Sequence, residues 1–191
     1  MNLASLPNVL TAARIIAVPL VVALFYIEQP WSDPAAAIVF IAAAITDSLD
    51  GYLARRLGLT TPMGEFLDPV ADKLMVATAL VLLVGHDTRP VIVLTAIVII
   101  GREITVSALR EWMAHLGARA KVAVSGLGKW KTIMQMTGLS MMMFRSDLFG
   151  LPIYEIGVAL LVVAAVLTLW SMGSYLRAAW PELKRVDRPA A

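Results

Sequence analysis

The chain has 191 residues, no cysteine and few charged residues. The absence of cysteine excludes disulfides and thiolate metal sites, and it leaves the redox compartment unassigned. Charged residues make up only 16% of the sequence, whereas soluble domains carry roughly a quarter. Hydrophobic residues make up 59%, and the mean hydropathy is +0.78. This balance predicts an integral membrane protein, and we expect no nucleic-acid partner.

Apolar segments alternate along the sequence with short stretches rich in proline, glycine and polar residues. Each segment is long enough to cross a bilayer core as a helix, at about 1.5 Å per residue. The six segments are residues 7–28, 35–56, 67–86, 90–115, 126–145 and 152–178. We therefore expect an all-α, polytopic membrane bundle of six transmembrane helices, with one membrane domain over 1–181 and a basic cytoplasmic tail over 182–191.

The distribution of basic residues predicts the orientation of these segments. With a cytoplasmic N-terminus, only Arg89 and Arg145 of the 16 lysines and arginines fall in the outer connections. Cytoplasmic connections of membrane proteins carry the excess of Lys and Arg. An even number of spans then places both termini in the cytoplasm.

Four aspartates, Asp47, Asp50, Asp68 and Asp72, lie at the edges of the second and third segments. The spacings i,i+3 and i,i+4 put each pair on one face of a helix, and the breakers in 58–62 allow the two helices to form a hairpin. An isolated acid in a membrane costs roughly a few kcal/mol. Clustered carboxylates are the hard oxygen ligands that suit Mg²⁺ or Mn²⁺. A hairpin whose acids are solvated or paired with nearby basic residues is the simpler alternative.

The stretch 47–72 resembles the signature of the CDP-alcohol phosphatidyltransferase family, D-x-x-D-G-x-x-A-R followed by G-x-x-x-D-x-x-x-D. Eight positions match without departure: Asp47, Asp50, Gly51, Ala54, Arg55, Gly64, Asp68 and Asp72. The resemblance implies transfer of a substituted phosphate group from a CDP-linked donor to an alcohol, with release of CMP.

The resemblance also implies a role for each matched residue. Asp47, Asp50 and Asp68 would ligate metal, and we expect two Mg²⁺ or Mn²⁺ ions. Asp72 would complete the metal site and act as the catalytic base. The residues expected to face the cytidine diphosphate are Asp50, Gly51, Ala54, Arg55 and Gly64.

Three further stretches, 6–14, 102–113 and 122–132, resemble bacterial family members that join CDP-diacylglycerol to sn-glycerol 3-phosphate. This closer resemblance implies a homodimer in the bacterial cytoplasmic membrane, with the active site on the cytoplasmic side. Basic residues would grip the acceptor phosphate: Arg102, Arg110, Lys129, Lys131 and Lys121. From the residues alone, phosphate binding is the favoured interpretation. The alternatives are that the arginines pair with Glu103 and Glu111 of their own helix and that the lysines form an ordinary cytoplasmic loop.

Asn8, Thr11 and Arg14 follow one another at steps of three in the first segment. On a helix they form a polar stripe along one side. The spacing predicts only a polar face, whereas the family resemblance implies a position near the nucleotide.

The expected reaction begins when Asp72 removes a proton from the glycerol 1-hydroxyl. The oxygen then attacks the diacylglycerol-linked phosphorus in line, and CMP leaves. One alternative is another acceptor: inositol phosphate, serine or a lipid alcohol. A second is a divalent-cation transporter, although transporters often contain inverted repeats and the sequence shows none.

Overall fold

The chain folds into helices alone wherever the structure describes it. The computed structural model describes residues 6–57, 62–116 and 127–186, and within them the side chains of 10–47, 64, 66–116, 130–177 and 180. The helices in these ranges are α1 (Leu6–Phe25), α2 (Ser32–Leu57), α3 (Pro62–His86), α4 (Pro90–His115), α5 (Leu127–Phe144) and α6 (Ile153–Val186). Each helix occupies one predicted apolar segment, which confirms the all-α prediction.

The predicted breakers become the ends of helices. Helix α2 begins at Ser32, whose buried hydroxyl lies within hydrogen-bond distance of the backbone carbonyls of Ile27 (2.5 Å) and Gln29 (2.8 Å), and its one proton is donated to or shared between them. Helices α3 and α4 each begin at a proline, which lacks the backbone N–H that a first turn leaves unpaired. Helix α6 continues beyond the predicted end at 178, to Val186.

Two glycines let α5 and α6 approach closely. A Cβ atom on Gly157 would lie 2.8 Å from the carbonyl oxygen of Gly138, and one on Gly138 would lie 2.9 Å from the carbonyl oxygen of Gly157. Small residues at such a crossing allow membrane helices to pack backbone against backbone. The crossing fixes α5 against α6, and both helices extend from it toward the functional site.

The outward faces of the bundle are apolar. Leu94 and Ile97 on α4, and Val166 on α6, are each 61% exposed. Contiguous exposed apolar surface of this kind is rare on soluble monomers and marks contact with lipid or protein. Within the described ranges, two stretches are long and apolar enough to cross a membrane, Pro90–His115 and Ile153–Arg177.

Ion pairs connect the helix ends at one end of the bundle. Arg145 bonds Asp33 at 2.8 Å and joins the α5–α6 connection to the start of α2. Arg89 lies 2.8 Å from Asp87 and 2.9 Å from Glu155, and joins the α3–α4 connection to α6. These are the residues that the charge distribution assigns to the outer side, and the aspartates of the motif lie toward the other ends of α2 and α3.

Candidate active site

Helices α1, α2 and α3 meet where the motif acids lie. Nη1 of Arg14, on α1, is 2.7 Å from Oδ1 of Asp47 on α2 and 3.1 Å from Oδ1 of Asp72 on α3. Arg14 is only 2% exposed, and a buried charge requires ionic or hydrogen-bonding partners. The arginine therefore links two carboxylates that come from different helices.

A second residue of α1 contacts a third acid of the motif. The hydroxyl of Thr11 donates a hydrogen bond of 2.6 Å to Oδ1 of Asp68. Thr11 is 1% exposed, and Gly64, one helical turn before Asp68, is also buried. The polar stripe of the first segment thus contacts the acids themselves, one hydroxyl and one guanidinium on successive steps of the helix.

The carboxylates open onto a cavity of about 840 Å³ between α2, α3 and α5. Its wall is mostly apolar. The polar and charged side chains on the wall are Arg14, Asp47, Asp72, Lys73, Glu103, Lys131, Thr132, Gln135, Thr137 and Ser140. The acids of the motif and one predicted basic residue, Lys131, therefore face the same space.

A buried basic cluster, formed by residues of α4, α5 and α6, adjoins the cavity at Glu103 and Lys131. Arg102 donates from Nη1 to Oε1 of Glu103 at 2.7 Å and from Nη2 to Oγ of Ser171 at 3.4 Å. Its guanidinium carbon is 6.0 Å from the ring centroid of Tyr175. Nζ of Lys131 is 3.7 Å from Oε1 of Glu103. Glu103 thus contacts both cations, and it lines the cavity whereas Arg102 lies behind it.

The other predicted site residues fall into three groups. Arg110 is exposed near the end of α4 and is not part of the cavity wall that the structure describes. Lys121 lies outside the described residues. Six more belong to α1, α2 or α5 but have side chains outside the described set: Asn8, Asp50, Gly51, Ala54, Arg55 and Lys129.

The donor atoms suit a hard divalent cation. Asp47, Asp68 and Asp72 contribute carboxylate oxygens, and a guanidinium already lies between two of them. The donor type therefore fits Mg²⁺ or Mn²⁺, which prefer oxygen ligands, but a bound ion would have to compete with Arg14 for Asp47 and Asp72. Among the side chains described, no three His, Cys, Asp or Glu residues are close enough together to hold an ion. Asp50, the fourth predicted ligand, is outside that set.

Among the wall residues absent from the predicted site, Glu103 and Gln135 are buried or half-buried polar residues near Lys131. The sequence predicts Glu103 only as a possible partner for the arginines of its own helix. Gln135 is 5% exposed and lies one turn beyond Lys131 on the same face of α5. The i,i+4 spacing of two polar residues in an apolar helix was the available signal, but it indicates a shared face and not what that face contacts.

Comparison with known proteins identifies the family. The sequence profile of the CDP-alcohol phosphatidyltransferase family matches residues 4–170. The chain belongs to this family. Membership confirms the resemblance of the motif and makes the chain a phosphatidyltransferase of phospholipid biosynthesis, a membrane-associated class of enzyme that uses a divalent metal.

Individual relatives in the CDP-alcohol phosphatidyltransferase family match almost the whole chain. A Pseudomonas fluorescens protein, named CDP-diacylglycerol–glycerol-3-phosphate 3-phosphatidyltransferase, is 52% identical over 185 residues, covering 96% of this chain and 94% of that protein. An Escherichia coli (strain K12) protein of the same name is 49% identical over 179 residues, covering 94% and 97%. A rice protein named cardiolipin synthase (CMP-forming) is 48% identical over 193 residues, covering 94% of this chain and 58% of that protein.

Proposed function

We propose that this chain transfers the phosphatidyl group of CDP-diacylglycerol to sn-glycerol 3-phosphate and releases CMP. The observation that carries the proposal is that one cavity has the motif acids Asp47 and Asp72 on its wall together with the cation Lys131. A phosphate-bearing acceptor has to meet both kinds of group at once. The bacterial relatives, at about 50% identity over nearly their full length, carry the name of this reaction.

Asp72 is the proposed general base. Its side chain lines the cavity and is 48% exposed, and the buried Arg14 guanidinium bonds one of its oxygens at 3.1 Å. Asp72 takes the proton of the glycerol 1-hydroxyl, and the freed electron pair attacks the diacylglycerol-linked phosphorus in line. That electron pair makes the new phosphorus–oxygen bond as the bond from phosphorus to the CMP oxygen breaks, and CMP leaves with the electron pair of the broken bond. General-base assistance of this kind contributes about 10²–10⁴-fold to a rate.

The proposed metal ligands are Asp47, Asp50, Asp68 and Asp72, which would hold two Mg²⁺ or Mn²⁺ ions. A bound divalent ion neutralises the negative charge that develops on the leaving phosphate. Helix α1 supports this proposed metal site. Thr11 bonds the carboxylate of Asp68. Arg14 bonds those of Asp47 and Asp72, so α1 orients three of the four proposed ligands.

The nucleotide site is proposed on the remaining motif residues, Asp50, Gly51, Ala54, Arg55 and Gly64. Glycine and alanine on one face leave room for a diphosphate to approach the backbone, and an arginine beside them supplies a fixed positive charge. In this arrangement Asn8, Thr11 and Arg14 lie on the helix nearest the nucleotide, and the last two act on the carboxylates.

The acceptor phosphate is proposed to bind on the opposite side of the cavity. Lys131 lines the cavity, and its ammonium lies 3.7 Å from Glu103. Arg102 in turn donates a hydrogen bond to Glu103. Arg110 lies near the end of α4, Lys129 lies near the start of α5, and Lys121 falls between these helices in the sequence. The three are proposed to complete the positive surface. Arginine and lysine both bind phosphate, the former through paired hydrogen bonds.

We further propose six spans with both termini in the cytoplasm, an active site at the cytoplasmic surface of a bacterial inner membrane, and a homodimer. The asymmetry of Lys and Arg supports the orientation, because Arg89 and Arg145 lie at the end of the bundle away from the motif. At this interface a lipid donor keeps its acyl chains in the bilayer while its headgroup reaches the acids.

A second candidate function is the same transfer to a lipid alcohol. The similarity to the rice protein named cardiolipin synthase (CMP-forming), 48% over 193 residues, favours it. The chemistry at the acids would be unchanged, because only the group that carries the attacking hydroxyl differs.

An acceptor panel separates these functions. Purified protein with CDP-diacylglycerol and Mg²⁺ is given sn-glycerol 3-phosphate, phosphatidylglycerol, serine or inositol phosphate, and CMP release is measured together with the lipid product. We expect turnover with glycerol 3-phosphate. Turnover only with phosphatidylglycerol would establish the second candidate. Metal uptake into vesicles without any turnover would favour the transporter alternative over both.

Asp72→Asn tests the base directly. We expect turnover to fall by about 10²–10⁴-fold, the contribution of a general base. The melting temperature should fall less than in Arg14→Gln, because Arg14 keeps its shorter pair with Asp47. Asp147→Asn is the matched control, because Asp147 is an exposed aspartate in the α5–α6 connection, far along the bundle. Undiminished activity of Asp72→Asn would remove Asp72 as the base.

A further inference from the structure

Glu103 occupies a position that the proposed reaction leaves unexplained. It is the acidic residue that α4 contributes to the cavity wall, across from Asp47 and Asp72. An additional carboxylate in a pocket that must receive an anionic acceptor weakens binding unless it has another task. The contacts of Glu103 with Arg102 and Lys131 indicate what that task is.

A chain of contacts fixes Glu103 from behind. Arg102 donates to Glu103 at 2.7 Å, and its second terminal nitrogen donates to Ser171 of α6. Ser171 is anchored in turn through a hydrogen bond of 3.1 Å to the backbone carbonyl of Thr168, and Tyr175 lies beside the guanidinium. The Glu103 carboxylate is therefore held by α6 through Arg102 and has little freedom to follow a ligand.

Lys131 contacts the Glu103 carboxylate at a longer distance than Arg102 does. Its side chain is 7% exposed, so its ammonium requires a nearby anion. The distance of 3.7 Å to Glu103 is that of an ion pair longer than an ordinary hydrogen bond. Glu103 thus compensates the charge of Lys131 and fixes its position without a short hydrogen bond, which leaves ammonium protons for a ligand in the cavity.

We propose that Glu103 is a positioning residue for acceptor binding that acts through Lys131. Held by Arg102, it keeps the Lys131 ammonium at the cavity wall, where that ammonium donates to the phosphate of the acceptor. This inference rests on the proposed function, since it assumes that the ligand of Lys131 is the acceptor phosphate. The chemistry at the phosphorus does not involve Glu103.

The test is Glu103→Gln, which keeps the size and one acceptor oxygen but removes the charge. We expect the KM for sn-glycerol 3-phosphate to rise about tenfold, as for loss of one charge-assisted contact, with kcat and the KM for CDP-diacylglycerol within about twofold. Glu103→Asp, which retains the charge, should recover part of the affinity. Glu111→Gln, an exposed position on the same helix, is the control and should match the unmodified protein.

A double-mutant cycle distinguishes positioning from a general loss of structure. If Glu103 acts through Lys131, Glu103→Gln in a Lys131→Gln background should raise KM no further than Lys131→Gln alone. Multiplicative effects of the two changes would overturn the proposal. An unchanged or lowered KM in Glu103→Gln would also overturn it, and a lowered value would indicate a carboxylate that competes with the acceptor.

Ligand-induced stabilisation supplies a readout independent of turnover. Inorganic phosphate or glycerol 3-phosphate should raise the melting temperature of the unmodified protein more than that of Glu103→Gln at equal concentration. Equal shifts in both proteins would contradict the proposal. Failure of the proposed function is separate, because it is seen as absence of glycerol 3-phosphate turnover in the unmodified protein.

Discussion

Replacing Arg14 with glutamine tests whether α1 assembles the acidic site. Arg14 pairs with Asp47 and Asp72 at 2.7 and 3.1 Å. Breaking a fully buried ion pair costs about 3–5 kcal/mol. The acids are 35% and 48% exposed, so water recovers part of that loss and we expect about 2 kcal/mol. For a chain of this size the melting temperature should fall by about 4–8 °C.

The assay is thermal unfolding in detergent, first with EDTA and then with Mg²⁺. Without Arg14 the carboxylates of Asp47 and Asp72 repel each other, and a divalent cation relieves that repulsion. Mg²⁺ should therefore raise the melting temperature of Arg14→Gln more than that of the unmodified protein. Turnover should fall by about 10²-fold or more, because displaced catalytic groups lose their alignment.

Arg145→Gln is the matched control for this experiment. Arg145 also bonds one carboxylate, Asp33 at 2.8 Å, and lies 4.5 Å from the ring of Phe25, but it does so at the other end of the bundle. It should lose stability by a similar amount, keep its turnover and show no enhanced response to Mg²⁺. If Arg14→Gln were as stable as the unmodified protein in EDTA and responded equally to Mg²⁺, the reasoning about α1 would be refuted.

Two further predictions concern packing and pH. Gly157→Ala should lose about 1–2 kcal/mol of unfolding free energy, because its Cβ would lie 2.8 Å from the Gly138 carbonyl oxygen and overpacking of about 1–3 kcal/mol outweighs the helix preference of alanine. Gly173→Ala, with nothing within 4 Å, should be neutral or stabilising, and equal melting temperatures would refute the packing argument. Burial alone would raise the pKa of Asp87, but hydrogen bonds from the Arg89 backbone, Tyr154 and the Arg89 guanidinium lower it below 3.8. Asp87→Asn should therefore lose stability at pH 7, and its difference from the unmodified protein should shrink as the pH falls below about 4; a constant difference down to pH 2 would contradict the sign of this pKa shift.

Secondary structure was predictable because the apolar segments are long and their breakers are strong. The α4 helix begins at Pro90 and ends at His115, as the segment 90–115 predicts. The end of α6 was not predicted, since apolar content falls after 178 while the helix continues to Val186. Residues 182–185 are good helix formers that a count of apolar residues does not detect, whereas Pro181 favours an earlier end of the helix.

The acidic site was predicted only in part. The spacing of Asp68 and Asp72 indicates a shared helix face, and the two acids do lie on α3 beside contacts from α1. The stripe containing Thr11 and Arg14 was equally consistent with a general polar face. The contacts of Thr11 and Arg14 with the acids depend on how α1 packs against α2 and α3. Thr11 and Asp68 are 57 positions apart, and no local sequence signal joins residues at that separation.

The sequence by itself determined the helices, the family and the identity of the motif acids, since these depend on composition and on spacing within a few turns. Tertiary structure decided the partners: Arg14 between two carboxylates, and Glu103 between two cations. Periodicity states which side of a helix a residue occupies, but not which helix packs there. In an apolar bundle every buried charge needs a counter-charge, and the packing of the helices selects which one it meets.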